Sequence, residues 1–154
     1  MKTLILYATK HGAAAEIARR IAGRIEGAAL HDLKSKAPNL AEYDCVIAGS
    51  SVYAGMIRKE AKSFLAENAE TLCGKRLGLF LSGMSANEEQ KVFEENVPRD
   101  VLNYAKATAF LGGIYDPKKV GFAERLIMKA VAKLTEYTDM IDDEKIEQFL
   151  HELN

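Results

Sequence analysis

Short apolar runs that recur along the chain constrain the fold more than any other feature. Four clear runs occupy residues 4–8, 45–49, 77–81 and 107–114, and a weaker run occupies residues 28–33. None of them alternates apolar with polar residues, which is typical of strands covered on both faces. The sequence therefore predicts five strands buried inside an α/β fold.

Helical patterns fill the segments between these runs. Over residues 13–25 isoleucines recur every four residues, and Gly27 is expected to end that helix. Helices are also predicted over residues 59–69, over 88–105 with a bend at Pro98, and over 143–153. Strands separated by whole helices need crossovers, which are right-handed in nearly all proteins, so a doubly wound parallel sheet follows.

Length and charge limit the classes of function. At 154 residues and 48% hydrophobic composition, residues 1–154 are expected to form one domain with a substantial core. A net charge of -1 gives no global field that would gather nucleic acid, so no nucleic-acid partner is predicted. The histidines show no metal-ligand spacing, and we predict no metal site.

Cysteine usage and the amino terminus indicate the compartment. Cys45 and Cys73 form no CxxC pair, which favours a reducing environment in which both are packing residues. The apolar start of the chain stops at Thr9, and no later stretch approaches the roughly 18 apolar residues of a membrane span. We therefore expect a cytoplasmic protein.

Three loops are expected to form a binding site. Ligands of open doubly wound sheets bind beyond the carboxyl ends of the strands, where the strand order reverses. The loop after the first strand offers backbone amides and a helix dipole to a phosphate, and the two others offer small residues and Tyr53 to a flat ring. The loops consist of Thr9, Lys10, His11, Gly12, Ala13 and Ala14, then residues 49–55, and then residues 82–87.

These loops resemble those of the flavodoxin family, whose fold carries FMN at the switch point of the sheet. The resemblance covers nearly the whole chain and implies a sheet of order 2-1-3-4-5 with helices on both faces. Within the family the chain looks most like the menaquinone-dependent protoporphyrinogen dehydrogenase branch. That likeness rests on residues 1–6, on residues 43–49 with Ser51 and Gly55, and on residues 124–129.

The resemblance assigns a role to each loop. Residues 9–14 would hold the phosphate of FMN, and the second and third loops would flank its isoalloxazine ring. The residues of those two loops are Ser51, Val52, Tyr53, Ala54, Gly55, Ser82, Gly83, Met84 and Ser85. No catalytic side chain is implied, because the flavin supplies the chemistry. The implied function is electron transfer between a redox partner protein, or a small-molecule donor, and an acceptor.

Two alanines motivate a different hypothesis. Ala8 and Ala14 stand where hydroxyl residues usually help to grip the phosphate. A hydrogen bond to a charged group contributes roughly 1.5 to 3 kcal/mol. The loss of two such bonds would therefore lower the affinity for FMN by about two to four orders of magnitude, unless Lys10 or His11 compensates. The alternatives are therefore an interaction module that has lost FMN and, from the branch resemblance, quinone-dependent oxidation of protoporphyrinogen IX.

Several residues also have purely structural interpretations. His11 can be a solvated loop residue, and Tyr53 can cap the core at the edge of the sheet. Residues 122–134 combine Phe122, Leu126 and Leu134 with lysines and Arg125, a pattern that fits peripheral contact with a membrane. The same pattern fits a helix that covers one face of the sheet with its lysines in water, and this second arrangement is the one we expect.

Overall fold

The structure is a computed structural model that describes all 154 residues. Its centre is a sheet of five parallel strands in the order 2-1-3-4-5, which confirms the predicted fold class. The strands are β1 (Thr3–Ala8), β2 (Ala29–Asp32), β3 (Cys45–Tyr53), β4 (Arg76–Ser82) and β5 (Ala107–Phe110). A short segment, Met56–Ile57, adds an antiparallel pairing at the end of β3.

Helices pack on both faces of this sheet. The helices that do so are α1 (Ala13–Ala22), α2 (Lys59–Glu67), α3 (Ala69–Leu72), α4 (Glu89–Asn96), α5 (Arg99–Tyr104) and α7 (Asp143–Leu153). A further helix, α6 (Phe122–Ile127), has no buried residue. A π-helical turn, Met128–Ala132, continues α6, and a 3₁₀ turn, Leu40–Glu42, precedes β3. No helix of the protein is both long enough and apolar enough to span a bilayer.

Alternate residues of β1, β3, β4 and β5 supply two separate cores, whereas β2, at the edge of the sheet, has no buried residue. On β1, Leu4 and Leu6 belong to one hydrophobic cluster, whereas Ile5 belongs to the cluster on the opposite face. This follows from the two-residue period of a strand and explains why the apolar runs do not alternate. Cys45 is buried in the second cluster, where burial raises the pKa of its thiol, and the partly buried Cys73 packs against the first.

Three helices end or break differently from the prediction. The helix predicted to reach residue 25 ends at Ala22, because the amides of Arg24 and Ile25 bond three residues back instead of four. The predicted bend at Pro98 is a complete break between α4 and α5, since Val97 is extended and Pro98 has no amide hydrogen. The second helix stops at Glu67 and is followed by the separate helix α3.

Two strands also depart from their predicted lengths. Residues 49–53, predicted as a loop, continue β3. Residues 49–51 pair with β4, and Val52 and Tyr53 pair with the Met56–Ile57 segment. The run predicted to continue to residue 114 stops at Phe110. Gly112 then bends the chain with φ +87°, and Ile114–Tyr115 pairs antiparallel with Thr138–Asp139.

The structure differs most from the prediction over residues 111–142, which we call the β5–α7 connection. The helix expected to cover a face of the sheet does not do so: neither α6 nor the π-helical turn contains a buried residue. Ion pairs instead fix the carboxyl end of the connection and the start of α7 to α1. Arg20 donates hydrogen bonds to Asp139 at 2.6 Å and to Asp143 at 3.1 Å, and Arg24 also pairs with Asp143.

We expect this pairing to make stability depend on pH. Burial alone would raise the pKa of Asp139, but hydrogen bonds from the Ile141 amide and from Arg20 lower it below its usual value. A lowered pKa stabilises the fold above the unfolded value of about 3.9, and the contribution disappears as the pH falls through the folded pKa. Asp139→Asn should therefore destabilise the protein at neutral pH by at most about 1 kcal/mol, because both partners are partly exposed.

Urea unfolding of Asp139→Asn and of the unsubstituted chain across the acid range measures this effect. The two stabilities should converge as the pH falls below the usual aspartate range. Glu136→Gln, which removes a carboxylate from the same connection without breaking an ion pair, is the matched control. A difference that stays constant down to the lowest pH would contradict the assignment.

Candidate functional site

The three predicted loops meet at one cavity beyond the carboxyl edge of the sheet. Its volume is about 470 Å³, which is within the usual range of small-molecule sites. Of the predicted site residues, Thr9, Gly12 and Ala14 do not line the cavity. Those that do are Lys10, His11, Ala13, Ser51, Val52, Tyr53, Ala54, Gly55, Ser82, Gly83, Met84 and Ser85.

The first loop presents the uncapped amino end of α1. Gly12, at φ +100°, lies immediately before the helix, and no side chain caps the helix amides. Thr9 Oγ1 accepts a hydrogen bond of 2.9 Å from the Gly12 amide, which folds the loop back on itself. The first amides of a helix have no partner within the helix, and together with the dipole they favour an anion at this position.

The two alanines of this region face the interior. Ala8 is 3% exposed in one hydrophobic cluster, and Ala14 is fully buried in the other. Neither methyl group is therefore part of the loop surface. What the first loop offers an anion is its backbone, with the neighbouring side chains of Lys10 and His11.

The second loop is a tight hairpin turn with an aromatic residue at its base. Ala54 and Gly55 both have positive φ, 50° and 76°, as two-residue hairpin turns of type I′ require. Tyr53 is 55% exposed, and the Lys10 ammonium lies 3.6 Å from the centre of its ring, a cation–π contact. The Lys10 amide also donates to Ser51 Oγ at 3.0 Å, so the first two loops are joined.

The third loop contains an unpaired hydroxyl group. Ser82 is 1% exposed, and its Oγ has no hydrogen-bond partner in the protein. Buried hydroxyls are normally paired, so an unpaired one at the wall of a cavity suits a polar group of a ligand. The loop is held in place by the start of the β5–α7 connection, because the Gly83 amide donates to the Gly112 carbonyl at 3.0 Å.

The β5–α7 connection forms the remaining wall, and the sequence did not predict this. The Lys119 ammonium donates to the His11 carbonyl at 3.4 Å, and Glu124 Oε2 lies 3.6 Å from His11 Nε2. A side chain on Gly12 would also lie 3.4 Å from the Lys119 ammonium. Asn87, in the third predicted loop, also lines the cavity. The lining residues outside the three predicted loops are Glu88, Glu89, Val92, Phe110, Gly113, Ile114, Tyr115, Asp116, Val120, Glu124, Ile127 and Met128.

A larger concavity lies elsewhere on the protein. It measures about 990 Å³ and runs between residues 33–41 and the α2–α3 region. It contains none of the predicted site residues and no buried hydroxyl without a partner. The meeting of three predicted loops at a buried hydroxyl without a partner therefore identifies the candidate site better than volume does. The protein has no group of three acidic, histidine or cysteine side chains placed to hold a metal ion.

The sequence matches the family model described as flavodoxin domain over residues 4–142. No curated protein matches the chain in sequence. This family match covers the whole β5–α7 connection and every residue of the sheet except Thr3.

Solved structures with the same fold include several flavodoxins. A short-chain flavodoxin associated with a PDU bacterial microcompartment has a TM-score of 0.64 at 16% identity, and the match covers 99% of this chain and 97% of that one. Oxidised flavodoxin 1 from Bacillus cereus has a TM-score of 0.59 at 18% identity, with the same coverage of both chains. A flavoprotein from Lactobacillus acidophilus in complex with FMN has a TM-score of 0.50 at 17% identity, covering 72% of this chain and 90% of that one.

Proposed function

The chain belongs to the flavodoxin family, and we propose that it binds FMN in the three-loop cavity and carries electrons between redox partners. The observation that carries the proposal is the composition of the cavity wall. An uncapped helix end suits the phosphate, and the unpaired Ser82 hydroxyl suits a polar edge of the ring. We also propose that residues 1–154 act as one domain.

Each loop would contribute one part of the binding. The amides at the start of α1 would hold the phosphate, while Tyr53 and Met84 would flank the ring. Bound FMN would supply the redox chemistry, and the protein would set its orientation and exposure. Tyr53 and its strand partner Met56 are 55% and 48% exposed, so they would form an apolar rim at which a protein or small-molecule partner approaches.

Titration of the purified protein with FMN, followed by quenching of flavin fluorescence, tests the proposal. We expect saturable binding at submicromolar FMN. Absence of binding would favour the alternative of an interaction module that has lost FMN, which was motivated by Ala8 and Ala14. Burial of both methyl groups supports FMN binding over that alternative, since a site built from amides does not depend on their side chains.

Lys119 should strengthen binding of the phosphate. Its ammonium lies beside the first loop and has no carboxylate partner, so it is available to a phosphate held there. Lys119→Gln should lower the affinity for FMN about tenfold and should leave the affinity for riboflavin unchanged. A tenfold loss corresponds to the lower end of the range for a hydrogen bond between charged groups. Lys118→Gln is the control, and equal losses for both ligands would show that Lys119 only supports the fold.

A second candidate function is quinone-dependent oxidation of protoporphyrinogen IX. The specific observation that favours it is that part of the branch likeness, residues 124–129, borders the cavity through Glu124, Ile127 and Met128. An anaerobic assay with protoporphyrinogen IX and menadione tests this activity. FMN binding without turnover would reject the second candidate and leave the first intact.

A further inference from the structure

The surface of α6 and the π-helical turn exposes large apolar side chains. Phe122 is 71% exposed and Val131 is 79% exposed, while Leu126 and Ile127 are 52% and 58% exposed. Single exposed apolar residues are common on folded proteins, but four within ten residues form a patch of the kind that marks an interaction site. These side chains are not covered by any other part of the chain, since no residue of α6 or of the π-helical turn is buried.

This patch carries a concentrated positive charge. Residues 118–134 contain five basic residues and one acidic residue, a local charge of +4 on a chain whose total is -1, so the remainder carries -5. The basic residues are Lys118, Lys119, Arg125, Lys129 and Lys133. None of them belongs to an ion pair of the structure, and Glu124 is turned toward His11.

We propose that this surface docks the protein on an anionic lipid bilayer. The docking surface consists of Phe122, Leu126, Ile127 and Val131 with Lys118, Arg125, Lys129 and Lys133. A short helical segment with aromatic and aliphatic side chains among lysines can enter the boundary between headgroups and acyl chains. The lysine stems add apolar area while their ammonium groups reach the anionic headgroups.

The composition of the surface favours lipid over the other occupants. Lysine is depleted at protein–protein interfaces, which instead favour arginine, tyrosine and tryptophan. Here lysines supply three of the four charges of the docking surface, and the chain has no tryptophan. A second copy of the chain would place two surfaces of like charge against each other, which opposes symmetric pairing.

The position of the docking surface determines which part of the protein would face the bilayer. Ile127 and Met128 also line the three-loop cavity, so the docked protein would hold that cavity close to the bilayer. Within α6 and the π-helical turn, only Glu124 and Met128 are partly buried, and they lie one helical turn apart on the same face. The docking does not depend on what the cavity binds.

Co-sedimentation of the whole protein with lipid vesicles tests the proposal. We expect binding to phosphatidylcholine vesicles that contain phosphatidylglycerol, weaker binding at high salt, and little binding to phosphatidylcholine alone. Lys129→Gln with Lys133→Gln should lower the partition coefficient about 25-fold, about fivefold for each charge removed. Phe122→Ser with Val131→Ser should lower it by at least about tenfold through lost apolar burial.

Matched variants separate docking from general surface properties. Lys34→Gln with Lys36→Gln removes two lysines elsewhere on the surface, and Leu30→Ser removes an exposed apolar side chain from β2. Neither control should change vesicle binding. Failure of the unsubstituted protein to bind anionic vesicles would overturn the proposal. It would also be overturned by lipid-free dimers that Phe122→Ser with Val131→Ser converts to monomers, since a second copy would then be the occupant.

Discussion

Gly112→Ala should lower the free energy of unfolding by at least about 3 kcal/mol, by forced overpacking and backbone strain together. A methyl group on Gly112 would lie 2.0 Å from the Met140 carbonyl oxygen, and φ there is +87°. The clash involves two backbone segments, so no side-chain rotation relieves it. Because the Gly112 carbonyl accepts from the Gly83 amide, the third loop of the cavity should lose its position as well.

Two other glycines separate the causes of this effect. Gly27 also has positive φ, +71°, but a methyl group there meets no atom within 4 Å, so Gly27→Ala should cost only about 1 to 2 kcal/mol. Gly121 has ordinary φ and open space, and Gly121→Ala should change stability by less than about 0.5 kcal/mol. Urea unfolding measures all three variants. A Gly112→Ala cost no larger than that of Gly27→Ala would contradict the close contact with Met140.

Riboflavin should bind about two to four orders of magnitude more weakly than FMN. The two ligands differ only in the phosphate, which would receive at least two amide hydrogen bonds at the start of α1. Each such bond to a charged group contributes roughly 1.5 to 3 kcal/mol. Competition between riboflavin and FMN, followed by flavin fluorescence, measures the ratio.

The outcome of this comparison locates the phosphate. A large ratio that Lys119→Gln reduces would place the phosphate at the first loop, beside the Lys119 ammonium. Equal affinities for the two ligands would show that the flavin ring alone is held and that the uncapped end of α1 is not its phosphate site. The same competition in Lys118→Gln should reproduce the unsubstituted ratio.

The sheet could be predicted because its signal is local. A strand buried on both faces must be apolar at every position, and β1 shows this directly through Leu4, Ile5 and Leu6. The positions of the three loops follow from the strands, since each loop comes directly after one. The hairpin of the second loop could not be predicted, because the extension of β3 to Tyr53 depends on pairing with the Met56–Ile57 segment.

The β5–α7 connection could not be predicted because its contacts are distant in sequence. Ile114–Tyr115 pairs with Thr138–Asp139 over only two residues on each side, too short a strand for a recognisable pattern. The amphipathic pattern of α6 predicted a helix, but the same pattern serves a helix on a sheet and a helix on an outer surface. The contact between Lys119 and His11 joins residues 108 positions apart, so no local sequence pattern predicts it.

If the three-loop cavity holds FMN as a redox group, the visible absorption spectrum of the protein must report it. The spectrum of purified protein is recorded before and after addition of FMN, and then during anaerobic photoreduction. We predict flavin bands that shift on binding, remain with the protein through gel filtration, and bleach and return reversibly. Protein that leaves the FMN spectrum unchanged and elutes without flavin would contradict FMN binding in this cavity.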